Sequence, residues 1–145
     1  QRIAEPLLAI PKSAVITWLP VPGSRTTLAV ANVHAINFSL SLAAFEAQFD
    51  ALSAVLAAHD GPLLVGGDLN TWSQARRAAV RRFADRLGLA EVAYAEDGRA
   101  RFLGQQVDHL LVRGLAVVTS AATAVTSSDH NPAAAVLRLA GPRGP

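Results

Sequence analysis

The feature that most limits the fold is the alternation of short, β-like apolar runs with two amphipathic helical stretches, with acidic, amide and imidazole groups set at the strand ends. Residues 13–19 (SAVITWL) are rich in β-branched and aromatic side chains and stop at Pro20. Residues 20–26 (PVPGSRT) carry turn chemistry and residues 27–34 (TLAVANVH) resume a β pattern, which predicts a hairpin. From Ser41 to about Ala58, the side chains of Leu42, Phe45, Phe49, Leu52, Val55 and Leu56 recur at three- and four-residue spacings. That periodicity predicts a helix with Ser41 as N-cap and Gly61-Pro62 as its stop. Residues 63–65 (LLV) read as a buried strand ending near Asp68-Leu69-Asn70. Ser73 caps a second helix over 74–87, and Gly88 stands just past its end. After a loop around Glu96-Asp97-Gly98, residues 107–112 (VDHLLV), 116–125 and 133–139 (AAAVLRL) read as strands, with 127–132 (SSDHNP) as a loop. Residues 141–145 read as a disordered tail. Strands outnumber helices and much of the pairing is expected to be antiparallel, so the fold class is α+β.

Composition narrows the chemistry. A chain of 145 residues with 51% apolar and 17% charged side chains suits one globular domain. No apolar run approaches the ~20 residues of a membrane-spanning helix, and no secretory signal pattern opens the sequence. Cysteine is absent, which excludes disulfides, thiolate metal sites and a cysteine nucleophile. A bound metal would be held by carboxylates, amides, water or imidazole, which favours hard ions such as Mg²⁺, Mn²⁺ or Ca²⁺. The net charge of +2 says little about partners, and Lys12 is the sole lysine among 13 basic residues. That Arg bias, with so much Ala, points to a GC-rich genome rather than a polyanion-binding surface. The arginines of the second helix (76, 77, 81, 82 and 86) read as a solvated face, because Asp85 interrupts them and no aromatic side chain alternates with them. The sequence also contains no methionine, which is expected of a processed or internal stretch of a longer chain.

Four polar groups fall at strand ends or in the loops that follow: His34, Asp68 with Asn70, Asp108, and Asp129 with His130. Taken singly, an Asp at a strand-to-helix junction is more often a turn or cap residue than a catalyst, and a His after a strand is usually a satisfied imidazole. Asp108 differs, since it sits within an apolar strand, where a carboxylate needs a partner. Alternation places His109 on the opposite face from Asp108, which makes His109 structural.

In order along the chain, NVH (32–34), GGDLNT (66–71), VDHLLV (107–112) and SSDHNP (127–132) resemble the later motifs of the endonuclease/exonuclease/phosphatase superfamily, the group of deoxyribonuclease I-like enzymes. Trp72 after GDLNT, His109 after Asp108 and Asn131 before Pro132 are most similar to bacterial YafD-type proteins. The resemblance implies a four-layered α/β sandwich, two mainly antiparallel sheets packed together and flanked by helices. It implies a hydrolase, a phosphodiesterase or nuclease among the options, that uses Mg or Mn and attacks a phosphate ester directly with water. Asp68 would orient or deprotonate that water, and Asn70 would bind phosphate or help place it. Asp108 would accept from one nitrogen of His130, whose other nitrogen would contact the phosphate. His34 would be a further phosphate contact, and Asp129 would lie near the metal.

The superfamily's early motifs, an Asn near the end of the first strand and a metal-binding Glu on the next, have no counterpart here. Glu5 lies in Ala4-Glu5-Pro6, which is not that motif, and Glu46, Glu91, Glu96 and Asp97 all follow His34. Residues 1–140 are therefore expected to be the C-terminal portion of one such domain, with its first strands missing. Three expectations follow: poor activity of this stretch alone, uncovered sheet faces, and either self-association or a complementing segment. The runner-up function is a non-catalytic fragment or pseudoenzyme acting as a binding module, although every later polar motif is intact. The substrate is a phosphate ester, with nucleic acid, phosphoinositide and phospholipid all open. Localisation, cytoplasmic or membrane-associated through residues upstream, is unread.

Overall fold

The computed structural model describes residues 2–4, 11–37 and 41–141, so Glu5 and the tail from residue 142 onward lie outside the described residues. The predicted hairpin forms from β2 (Pro11–Pro20) and β3 (Thr27–Val33), paired antiparallel, with β1 (Arg2–Ala4) antiparallel on the outer side of β2. The helix α1 (Ala43–Leu56) then carries the chain across to β4 (Leu63–Asp68), which lies parallel to β3. Helix α2 (Gln74–Leu87) follows, and β9 (Asp108–Arg113) returns antiparallel to β4. Between α2 and β9 run four two-residue strands: β5 (Ala90–Glu91), β6 (Glu96–Asp97), β7 (Arg101–Phe102) and β8 (Gln105–Gln106). The chain ends with β10 (Leu115–Ala122) and β11 (Ala133–Leu139). One sheet has the order β1-β2-β3-β4-β9-β5, a second has β11-β10-β6, and β7-β8 form a separate ribbon.

Local chemistry explains the boundaries. Ser73 accepts from the backbone N–H of Arg76 and caps α2, while Gly88 closes it in the left-handed region at φ 64°. Helix α1 begins one residue later than expected, because Leu42 rather than Ser41 occupies the cap position, with no side-chain cap hydrogen bond. The strand β4 runs past the apolar LLV through Gly66 and Gly67 to Asp68. Gly67 has φ 131°, and a Cβ there would lie 2.1 Å from the carbonyl oxygen of Val33. Only glycine lets β4 approach the end of β3 this closely. The four minimal strands escape a periodicity argument because two residues carry no pattern.

The core lies between the larger sheet and the two helices. Ala29, Ala31 and Val33 of β3, Leu63 and Val65 of β4 and Leu111 of β9 meet Phe45, Phe49, Leu52 and Leu56 of α1 and Val80 and Phe83 of α2. Phe49 is the hinge of an aromatic cluster, 4.9 Å from Phe45 and 5.1 Å from Phe83 between ring centroids. Each fully buried Phe contributes roughly 1.5–3 kcal/mol of transfer free energy. On the other side of the sheet, Val15 and Leu19 of β2 are exposed, as are Val118 and Val136 of the second sheet.

The expected arginine face of α2 needs correction at its first member. Arg82 and Arg86 are exposed and pair with Glu46 and Asp50 of α1. Arg76, by contrast, is 2% exposed. Its guanidinium donates to the carbonyls of Ile36 (2.5 Å), Asn37 (2.9 Å) and Asn70 (3.3 Å) and lies over the rings of Phe45 and Trp72. The charge is stabilised by oriented dipoles and ring faces, and in return it holds the 36–37 loop against the loop that follows β4.

A second polar network ties β5, β6 and β9 together. Glu91 accepts from Nδ1 of His109 and from Arg99, both at 2.8 Å, and His109 Nε2 lies 2.6 Å from the Thr71 hydroxyl. Arg99 also binds Asp97 through two nitrogens, donates to the backbone carbonyl of Asp108 and stacks on Tyr94. His109 is thus a structural side chain. Its hydrogen bond, followed by that from Arg99, holds Glu91 down to about 2 against the opposing effect of burial.

Three outcomes follow. Gly67→Ala, which needs a strained φ and meets backbone, should destabilise by about 3 kcal/mol in a denaturant midpoint. Arg76→Met should cost about 3 kcal/mol by the same measurement, because it leaves buried carbonyls without their donor. The stability contributed by ionised Glu91 is present above its ordinary pKa of 4.5 and is lost as pH falls through about 2. Melting curves of wild type and Glu91→Gln should therefore converge across that acidic window, and parallel curves would contradict the assignment.

Candidate active site

The site is built where β3, β4 and β9 end together. Antiparallel register places Asp68, the last residue of β4, directly opposite Asp108, the first of β9. Directly opposed residues in such a pair have side chains on one face of the sheet. The loop after β10 brings His130 to this edge, with Nδ1 2.8 Å from Asp108 Oδ2. His34 follows β3, with Nε2 3.5 Å from Asp68 Oδ2. Asp129 is exposed and lines, with Asp68, Asn70 and His130, a cleft of about 380 Å³ rimmed by Arg101 and Phe102. The expected residues His34, Asp68, Asn70, Asp108, Asp129 and His130 are therefore brought to one sheet edge from four separate stretches of chain.

Asn70 acts on this edge through Asp68. It occupies the left-handed region at φ 50°, which Asn tolerates better than most side chains. Its backbone N–H donates to Asp68 Oδ1 at 2.9 Å. Its side-chain nitrogen donates to the carbonyl of Ala35 at 2.8 Å and lies 3.2 Å from Asp68 Oδ2. The residue is 3% exposed and locks the carboxylate in place. The loops are fixed in turn: Asn131 donates to the Gly98 carbonyl at 2.6 Å and accepts from the N–H of Val125 at 3.1 Å.

The electrostatics separate the two charged partners. Burial pushes the Asp68 carboxyl upward; the Asn70 backbone N–H opposes this, and the negative charge of Asp108 adds to it. His130 is also raised, chiefly by its hydrogen bond to Asp108, with burial acting against it. A carboxylate made more basic thus stands beside an imidazole kept more readily cationic. That combination can accept a proton from water and offer positive charge to an anion.

The fit to a divalent metal is incomplete. Among the described residues no group of three or more His, Cys, Asp or Glu side chains is gathered to hold an ion. Asp129, the donor implied by the sequence resemblance, supplies one carboxylate only.

Sequence reasoning missed two cations here. Lys12 is buried with its Nζ 2.9 Å from His34 Nε2, and Arg76 braces the loop that carries Asn70. The signal for Lys12 was its isolation, a single lysine at the start of an apolar strand.

Comparison with known proteins finds relatives over most of the chain. A UPF0294 protein of Yersinia enterocolitica is 41% identical over 131 residues, covering 90% of this chain and 50% of the relative. A UPF0294 protein of Klebsiella pneumoniae is 40% identical, covering 90% and 49%. The chain spans about half the length of the curated relatives it matches. An endonuclease/exonuclease/phosphatase of Beutenbergia cavernae shares the fold with a TM-score of 0.63 at 21% identity, over 92% of this chain and 41% of that one. The human Nocturnin catalytic domain with a bound sulfate anion gives 0.64 at 19% identity, over 95% and 57%. A Staphylococcus aureus beta toxin variant with bound magnesium ions gives 0.56 at 15% identity, over 86% and 57%. The model of the Endonuclease/Exonuclease/phosphatase family matches residues 5–130, and the chain belongs to that family.

Proposed function

We propose that these residues form the later half of a phosphoesterase site, which cleaves a phosphodiester or phosphomonoester by direct attack of water and depends on Mg²⁺ or Mn²⁺. The observation that carries the reading is the Asp108–His130 hydrogen bond set against Asp68 across one rung of the sheet. Asp68 takes the proton of the attacking water, and its raised basicity suits that task. Asn70 holds Asp68 in one orientation. His130, oriented by Asp108, presents its other ring nitrogen to a non-bridging oxygen and offsets the charge that develops there. No covalent intermediate is needed.

Divalent-ion dependence is part of the proposal. A bound ion would polarise the phosphate. Asp129 is this chain's contribution, and the remaining ligands would come from residues outside those described. The family's members and the magnesium-bound beta toxin support it. The substrate is identified only as a phosphate ester.

The test is hydrolysis of bis(4-nitrophenyl) phosphate with Mg²⁺ or Mn²⁺. Because low absolute turnover is expected of this stretch alone, the measured quantity is the ratio of wild type to Asp68→Asn. We expect a loss of roughly 10²- to 10⁴-fold, the usual contribution of a positioned base. EDTA should abolish the wild-type rate. On the acid side the rate should fall as Asp68 becomes protonated, at a pH above the ordinary aspartate value of 3.8, since only the ionised form accepts a proton. Turnover unchanged in Asp68→Asn would sink the reading.

A further inference from the structure

Lys12 is the only lysine of the sequence and is 8% exposed, on the strand beside β3. Its Nζ lies 2.9 Å from Nε2 of His34, and the same Nε2 lies 3.5 Å from Oδ2 of Asp68. One ring nitrogen cannot serve both neighbours in the same way. An ammonium has donors only, so at the shorter contact Nε2 accepts; toward a carboxylate it would have to donate. The 2.9 Å contact falls within ordinary hydrogen-bond range and the 3.5 Å one beyond it, so geometry favours acceptance from Lys12.

We propose that Lys12 is a positioning residue that holds the neutral His34 ring in the form with its hydrogen on Nδ1. Two consequences follow. With no hydrogen on Nε2, His34 does not cap Asp68 Oδ2, and that oxygen, which already accepts from the Asn70 side chain at 3.2 Å, keeps its remaining lone pair for the attacking water. The Nδ1–H, which has no hydrogen-bond partner among the described residues, becomes a neutral donor on a side chain that is 53% exposed beside Asp68. These consequences rest on the phosphoesterase reading, whereas the ring form does not. A bland alternative is that Lys12 buries its aliphatic stem and touches His34 incidentally. The groups facing the ring among the described residues are Lys12 from β2 and Asp68 from β4.

The ring form is read by long-range ¹H–¹⁵N correlation spectra of the uniformly labelled chain in alkaline buffer, where imidazoles are neutral. The four histidines are separated by single His→Gln assignments. Wild type should show His34 with Nδ1 protonated and Nε2 bare. Lys12→Met should move the hydrogen to Nε2, where it donates to Asp68, and Lys12→Arg should restore the wild-type pattern. A wild-type spectrum with Nε2 protonated overturns the proposal, and this arm requires no variant to fold. A pattern unchanged in a folded Lys12→Met also overturns it. With bis(4-nitrophenyl) phosphate, Lys12→Met should leave KM unchanged and lower kcat about tenfold, a fraction of what a positioned base supplies. If wild type shows no turnover on any phosphate ester, the phosphoesterase reading fails, and the spectra still decide the role of Lys12.

Discussion

The antiparallel ladder between β4 and β9 is the constraint on which the rest depends. Its register pairs Leu63 with Arg113 at one end and Asp68 with Asp108 at the other, so every intermediate rung fixes where the two carboxylates meet. A slip by one residue would send one acid to the opposite face of the sheet. The register is held by burial of Val65 and Leu111 on the helix side, and by Gly67, which lets β4 pass close to β3. The geometry of the candidate site is a consequence of core packing three rungs away.

Much of this was legible in the sequence, for a physical reason. Residues of α1, α2, β2 and β3 declare themselves by periodicity, because one face of each is buried. The candidate site motifs declare themselves because polar side chains at strand ends interrupt that pattern. The family match over residues 5–130 and the shared fold bear out the family and the fold that those motifs imply. The partner of Asp108 could be anticipated because a carboxylate inside an apolar strand demands one. Periodicity could not show β5 to β8: β5 and β6 form through pairing with β9 and β10 and the Glu91–Arg99–Asp97 network, and β7 and β8 make a local ribbon too short to carry a pattern.

The buried cations mark the same boundary. Arg76 sits at the first turn of α2, beside arginines that are solvated or paired on the surface, and nothing local distinguishes it. Its burial is decided by carbonyls of residues 36 and 37, some forty positions earlier, and by two aromatic rings. Lys12 is the converse case. Its identity was conspicuous and its role was not, because the imidazole that it meets lies 22 residues away across the β2–β3 hairpin.

The balance of effects at Asp68 indicates what makes the edge a site. Burial is the largest influence on its carboxyl, ahead of the Asn70 hydrogen bond and of repulsion from Asp108. The Asp108 charge raises the carboxyl further, and His130, bonded to Asp108, lowers it by less. The basicity of Asp68 therefore depends more on how dry its surroundings are than on which charges face it. The buried neighbours Ala35, Leu69 and Asn70 set that dryness from beneath. On the open side, Phe102 of the β7–β8 ribbon, packed edge-on to Trp72, borders the same cleft. A group lying between this rim and Asp68 would exclude water further and raise the carboxyl further. On the proposed phosphoesterase reading, occupancy of the cleft would itself strengthen the base.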